Sequence, residues 1–171
     1  MNRNIIAFQD TSLFGRMTAE EFAAMCELEA DKARVKSCLK EGIIRAQGDA
    51  GDSALIGVLG LQDVVVANRF LCHMEPAAAE RCLRNIARLV KPGGYLFVSG
   101  VDLDVRTRVA RGMGWKPVMD PIREMHEGDP SSRDGWPVDY TGLEPFRDDR
   151  PDWKIRYSAV FQIGETGAIA I

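Results

Sequence analysis

Two apolar runs constrain this chain more than anything else in it: Asp63-Val-Val-Val-Ala-Asn-Arg-Phe-Leu71 and Leu89-Val-Lys-Pro-Gly-Gly-Tyr-Leu-Phe-Val-Ser99. The first core, Asp63–Ala67, is valine-rich and shows no polar alternation, which is the pattern of a strand covered on both faces, as parallel strands are. Between the runs, Pro76 suits a first helical turn. Behind it Ala79, Cys82, Leu83, Ile86, Ala87 and Val90 recur at helical spacing, with Glu80, Arg81, Arg84 and Arg88 opposite. Lys91-Pro-Gly-Gly reads as the helix stop: a cation at the negative dipole end, then a proline, then glycines for a left-handed cap. Strand, helix and strand in this order imply a crossover and a parallel pair. The fold class is therefore α/β.

The remaining elements are read around that unit. Asn4–Phe8 is either a short strand or a loop. Thr18-Ala-Glu-Glu21 is a capping box, in which hydroxyl and carboxylate satisfy orphan amides reciprocally. It opens a helix predicted over 18–28, with Phe22, Met25, Cys26 and Leu28 on one face. The polar stretch Glu29–Lys36 leads to a short strand at Ile43-Ile44, ending at Gly48-Asp49-Ala50-Gly51-Asp52. Ser53–Leu59 is a short helix closed by Gly60. Asp104–Arg111 reads as a helix capped by Asp104, and Trp115–Met119 as an edge strand because Pro117 cannot donate to a ladder. The stretch 126–152 is a long loop of the kind that is functional or poorly ordered, and Trp136, Tyr140 and Trp153 could roof a site. Trp153–Ile163 alternates apolar and polar residues, as an antiparallel strand does.

Composition narrows the function classes. A net charge of -3 without a basic stripe argues against nucleic acid. No apolar run approaches the ~18 residues of a membrane span. The four cysteines, Cys26, Cys38, Cys72 and Cys82, have no CxxC or Cys/His spacing, so reduced packing thiols and a cytoplasmic location are expected. His126, Glu127 and Asp129 match no metal-ligand spacing, and no metal is expected.

Candidate site residues follow the strands, because cofactors of α/β sheets sit beyond the carboxyl ends of parallel strands. Gly48-Asp49-Ala50 and Asn68-Arg69 occupy such positions. A polar pair directly after a buried strand is hard to explain by packing. Asp49 and Asp52, by contrast, also suit a turn. Arg69 is suited to positioning an anionic acceptor. His73 is a candidate base or orienting group, since histidine is the residue type used for proton transfer near neutral pH, with a backbone-bonded imidazole as the plainer reading.

The strand, the stretch Ala67-Asn-Arg-Phe-Leu-Cys-His-Met74, the step Glu75-Pro76 and the turn Val90-Lys-Pro-Gly-Gly94 resemble the C-terminal part of class I S-adenosylmethionine-dependent methyltransferases. More narrowly they resemble the CheR-type chemotaxis-receptor glutamate methyltransferases, and Arg34–Ile43 is similar to that family's lead into its third strand. The likeness runs over residues 17–120. It implies a partial Rossmann-like methyltransferase sheet over 1–171 as a single truncated domain, its N-terminal strands missing. The fourth, fifth, seventh and sixth strands of the family remain able to pair, with the seventh antiparallel. It also implies S-adenosyl-L-methionine as cofactor. Asp49 and Ala50 would meet the adenine, and Asn68 and Arg69 would lie beside the methionine moiety and the acceptor, a protein carboxylate. Here Asn68-Arg69 inverts the family's Arg-Asn pair, His73 stands where the family has tyrosine, and the glycine-rich turn has no counterpart. The alternative is a non-catalytic remnant that acts as an interaction module, self-associating through the exposed edge of the fourth strand. No nucleic-acid partner and no membrane insertion are expected.

Overall fold

The structure is a computed structural model that describes residues 5–7, 17–29, 32–120, 122–127 and 144–164. The chain divides into two compact units, Met1–Gln47 and Gly48–Ile171. Trp136, Tyr140 and Asp129 lie outside the described residues.

In the first unit, strands β1 (Ile5–Ala7), β2 (Cys26–Glu29) and β3 (Lys32–Val35) form an antiparallel sheet of order β1-β3-β2. Helix α1 (Ala19–Met25) precedes the hairpin. Its capping box is present: Thr18 Oγ1 accepts from the Glu21 amide at 3.1 Å, and Glu21 Oε2 accepts from the Thr18 amide at 2.8 Å. The predicted helix over 18–28 ends early because Cys26 turns extended and joins the sheet. The polar stretch after it is a hairpin rather than a connector, with Glu27 opposite Arg34, a pairing of opposite charges that favours cross-strand register. No strand forms at Ile43-Ile44; both side chains are exposed and 43–49 carries no regular structure.

The second unit holds the expected α/β arrangement. Strand β4 (Gln62–Asn68) pairs in parallel with β5 (Val90–Ser99), Val64 beside Tyr95 through Asn68 beside Ser99. Strand β7 (Val160–Gln162) lies antiparallel to β5, and the short β6 (Lys116–Pro117) is the edge beyond it, giving the order β4-β5-β7-β6. Lys91-Pro-Gly-Gly is not a helix cap. It is a bulge inside β5, because Gln62 pairs with Val90 and the next partner, Val64, with Tyr95. Gly93 takes a φ of +80° there, and Lys91 is held by Asp63 at 2.8 Å.

Helix α3 (Pro76–Ala87) crosses between the strands with proline in its first turn, preceded by the short helix α2 (Leu55–Leu59), which Gly60 closes. Its buried stripe of Ala79, Cys82, Leu83, Ile86 and Ala87 packs with Ala67, Leu96, Val98 and Phe161, and with Val105, Val109 and Ala110 of helix α4 (Leu103–Gly112). Each fully buried leucine or phenylalanine in such a core contributes about 1.5–3 kcal/mol. The α4 cap is Asp102, not Asp104: its carboxylate accepts from the amides of Asp104 and Val105.

The opposite face of the parallel pair departs from expectation. Val64, Val66, Tyr95 and Phe97 are 52%, 66%, 40% and 39% exposed, so among the described residues β4 is well covered on one face rather than two. A further difference lies at the C-terminal end. Trp153–Tyr157 is a helical turn, α6, and only Val160–Gln162 is strand. Trp153 and Tyr157 share a face in a helix as well as in a strand, whereas Ile155 packs on the main core instead. Tertiary contact decides for the helix: Trp153 and Tyr157 both pack on Phe146, with ring centroids 5.8 and 4.8 Å away. Helix α5 (Ile122–Glu127) adds His126 to the same cluster, 4.7 Å from the Tyr157 ring. No helix among the described residues is long and apolar enough to cross a membrane.

Candidate functional site

The parallel pair ends at a polar mouth. Asn68 and Ser99 are register partners, and the Ser99 hydroxyl donates to Asn68 Oδ1 at 2.5 Å. Immediately beyond, Arg69 takes a φ of +53°, alone among the described non-glycine residues in being left-handed. Its amide donates to the Ser99 carbonyl at 2.9 Å, and the Cys72 amide donates to the Gly100 carbonyl at 2.9 Å. The chain then dips inward at Leu71, which is fully buried, and a single turn of 3-10 helix, Leu71–His73, delivers it to α3. The backbone leaving β4 is thus pinned against the backbone leaving β5. Arg69 and His73 remain exposed on the connection. Beside the mouth, on the uncovered face, a cleft of about 190 Å³ is bounded by Val66, Asn68, Phe97, Ser99, Met125 and Ala159.

The structure brings Asn68 and Arg69 together at the carboxyl mouth of the sheet, with His73 on the same connection. It does not bring Asp49 and Ala50 there. Asp49 Oδ1 accepts from the Gly51 amide at 2.7 Å, and the Asp52 carboxylate accepts from Ala54 N at 2.9 Å, which is the local turn chemistry of such residues. The turn is tied down by Asn85, whose side-chain amide donates to the Gly51 carbonyl at 2.7 Å. Asn85 belongs to the last turn of α3, about 14 Å along the helix from Pro76 at the usual rise. That end of α3 leads into the start of β5, opposite the mouth. Ala50 packs on the main core. Burial raises the Cys82 thiol pKa above its ordinary value, and the neighbouring Asp49 charge raises it further. That thiol is a packing group.

Ser99 and Gly100 are the site residues that the sequence reading missed. The available signal was symmetry: each parallel strand ends in a small or polar pair, Asn68-Arg69 and Ser99-Gly100. Among the described residues no cluster of histidine, cysteine or carboxylates is arranged to hold a metal.

A Rossmann-like α/β sheet with this strand order, a crossover helix packed on one face and polar groups at the carboxyl mouth of its parallel pair defines the class of domain. Residues 16–98 match the family model described as a methyltransferase domain. The match runs through β4, α3 and β5 and stops just short of Ser99. No curated protein matches the chain. The Asn68 amide and the Arg69 guanidinium stand at the mouth and are of the type that a carboxylate or polar tail engages. Asp49 and Ala50 lie away from that mouth, in the turn that Asn85 ties down.

Proposed function

We propose that the second unit is the part of an S-adenosylmethionine-dependent methyltransferase that presents the methyl acceptor, CheR-like in its β4 exit and acting on a protein carboxylate. One observation carries this reading: Asn68 and Arg69 stand at the mouth of a parallel pair that lies within the matched stretch. S-adenosylmethionine supplies the methyl group when bound. The chain's own residues align the acceptor oxygen: Arg69 engages the carboxylate through its guanidinium fork, and Asn68, fixed by Ser99, supports it. Such alignment is where most of the acceleration of an in-line displacement originates. His73 is not required as a strong base, because a carboxylate acceptor is already deprotonated at neutral pH. Titration calorimetry of the full chain with S-adenosylmethionine and its demethylated product tests the reading. Binding that weakens at least tenfold in Asn68→Ala supports it, and the absence of any heat with either ligand removes it.

A second reading is favoured by the edge of β4 that no described strand pairs with, and by the apolar face beside it. We propose that a second copy of this chain pairs with that edge. In an antiparallel β4–β4 pair centred on Val65, Gln62 faces the partner's Asn68, Val64 faces the partner's Val66, and Asp63 faces the partner's Ala67. No like charges oppose one another, so the edge is complementary to itself under a two-fold axis. Sedimentation equilibrium should show a mass that rises with concentration. Val66→Lys, a charge of the kind that blocks strand edges, should hold the chain monomeric. A monomer at all concentrations for both proteins excludes this reading.

A further inference from the structure

The glycines of the second unit do not all serve the same purpose. Gly60, Gly93 and Gly114 have positive φ, and a Cβ added at any of them would meet open space. Their role is conformational only. Gly100 also has a positive φ, +61°, but its added Cβ would lie 2.7 Å from Arg69 Cα, 3.1 Å from Arg69 Cγ and 3.2 Å from Arg69 Cβ. The nearest of these atoms is backbone, which cannot swing aside as a flexible side-chain end can. Arg69 is itself left-handed, and it is bonded to the same stretch through the Ser99 carbonyl.

We infer that Gly100 is a positioning residue for Arg69: its missing side chain lets the exit of β4 lie directly on the exit of β5, and this holds Arg69 left-handed at the mouth. Two hydrogen bonds clamp the arrangement from either side, Arg69 N to Ser99 O and Cys72 N to Gly100 O. A side chain at 100 therefore forces the two exits apart. Asn68, whose Oδ1 accepts from Ser99, moves with them. The inference rests on the proposed function only for what Arg69 engages; the geometry stands without it.

The test is nuclear magnetic resonance of the isotope-labelled full chain, wild type against Gly100→Ala. A positive φ brings the amide proton and Hα of a residue close, so wild-type Arg69 should give a strong intraresidue cross-peak. In Gly100→Ala that cross-peak should fall to the ordinary intensity, while those of α3 keep theirs. A left-handed Arg69 that persists in Gly100→Ala overturns the inference. Should Gly100→Ala fail to fold, Arg69→Gly supplies the background in which to repeat it. A glycine at 69 removes the contacts to Arg69 Cβ and Cγ and moves its backbone more readily, so the double variant should regain a cooperative thermal melt. A double variant that also fails to fold overturns the inference. Titration with N-acetylglutamate, read at the Arg69 side-chain resonance, separates positioning from mere stability. Affinity should drop at least tenfold in Gly100→Ala. If the wild type itself ignores N-acetylglutamate, the carboxylate reading fails, and the cross-peak still decides whether Gly100 positions Arg69.

Discussion

Two arginines in the second unit sit in opposite circumstances. Arg156 is 8% exposed, and its guanidinium is spent on Glu144 in a bidentate pair at 2.7 and 2.8 Å and on Asp104 at 2.6 Å. Tyr157 adds its hydroxyl to the same Glu144 oxygen at 2.7 Å, and Arg106 donates to the Arg156 carbonyl. The network fastens α4, α6 and the segment at 144 to one another. Arg69 is exposed, left-handed and placed where two parallel strands end. The richer cluster of charges is the structural one, because its members satisfy one another and leave nothing to offer a ligand. The sparser one bears backbone strain, and such strain persists only where its surroundings impose it, often at functional sites. Density of charge is therefore a poor guide to function in this chain. Strain at a strand mouth is a better one.

The largest effect should come from breaking the satisfied cluster. Arg156→Ala leaves Glu144 and Asp104 without their shared cation; water reaches both carboxylates, so the cost is about 3 kcal/mol, the lower end for breaking a buried pair. Urea unfolding should show the midpoint falling without a change in slope. The comparison breaks if Arg156→Ala proves neutral while Arg69→Ala destabilises.

Acid sharpens the same contrast at a somewhat smaller cost. Glu144 is held down to about 2, chiefly by hydrogen bonds from Arg156, against the ordinary carboxylate range. A carboxyl depressed in the folded state contributes fully at neutral pH, above its unfolded value, and loses that contribution as pH falls through the unfolded value towards the folded one. Stability should therefore decline between about pH 4.5 and pH 2, by on the order of 2–3 kcal/mol from this group. Glu144→Gln should flatten that limb of the stability profile. An unchanged limb would mean that other carboxylates carry the acid sensitivity.

What the sequence made legible follows from how local each signal is. The valine run and the stripe behind Pro76 specify β4 and α3 by repeated burial, and their parallel pairing with β5 follows from connection rules. The Asn68-Arg69 position was legible for the same reason. The hairpin at Cys26–Val35 was not, because Cys26 and Leu28 fit the tail of a helix as well as an alternating strand; alternation with Glu27 and Glu29 was the competing signal. Trp153–Tyr157 failed the opposite way, Trp153 and Tyr157 sharing a face of one helical turn once Phe146 was there to pack on. Coverage of β4 on one face only could not be read from its valines, since apolar residues do not say what lies against them. Gly100 escaped notice because the close approach that requires it joins residues far apart in sequence.

The smallest predicted effect is a reversal of sign, and it addresses Arg69 directly. At an ordinary position glycine is less stabilising than alanine by about 0.5–1 kcal/mol, because it surrenders more backbone freedom on folding. At a left-handed position alanine carries the Cβ–carbonyl conflict, about 1–2 kcal/mol, and glycine does not. Arg69→Gly should therefore be more stable than Arg69→Ala by up to about 1 kcal/mol, a difference thermal unfolding resolves as a few degrees in a domain of this size. Both variants lack the guanidinium, so both should lose anion binding alike. Chemistry at Arg69 is thereby separated from conformation. If alanine proves the more stable of the two, Arg69 is not strained, and the contrast with Arg156 reduces to a difference in burial.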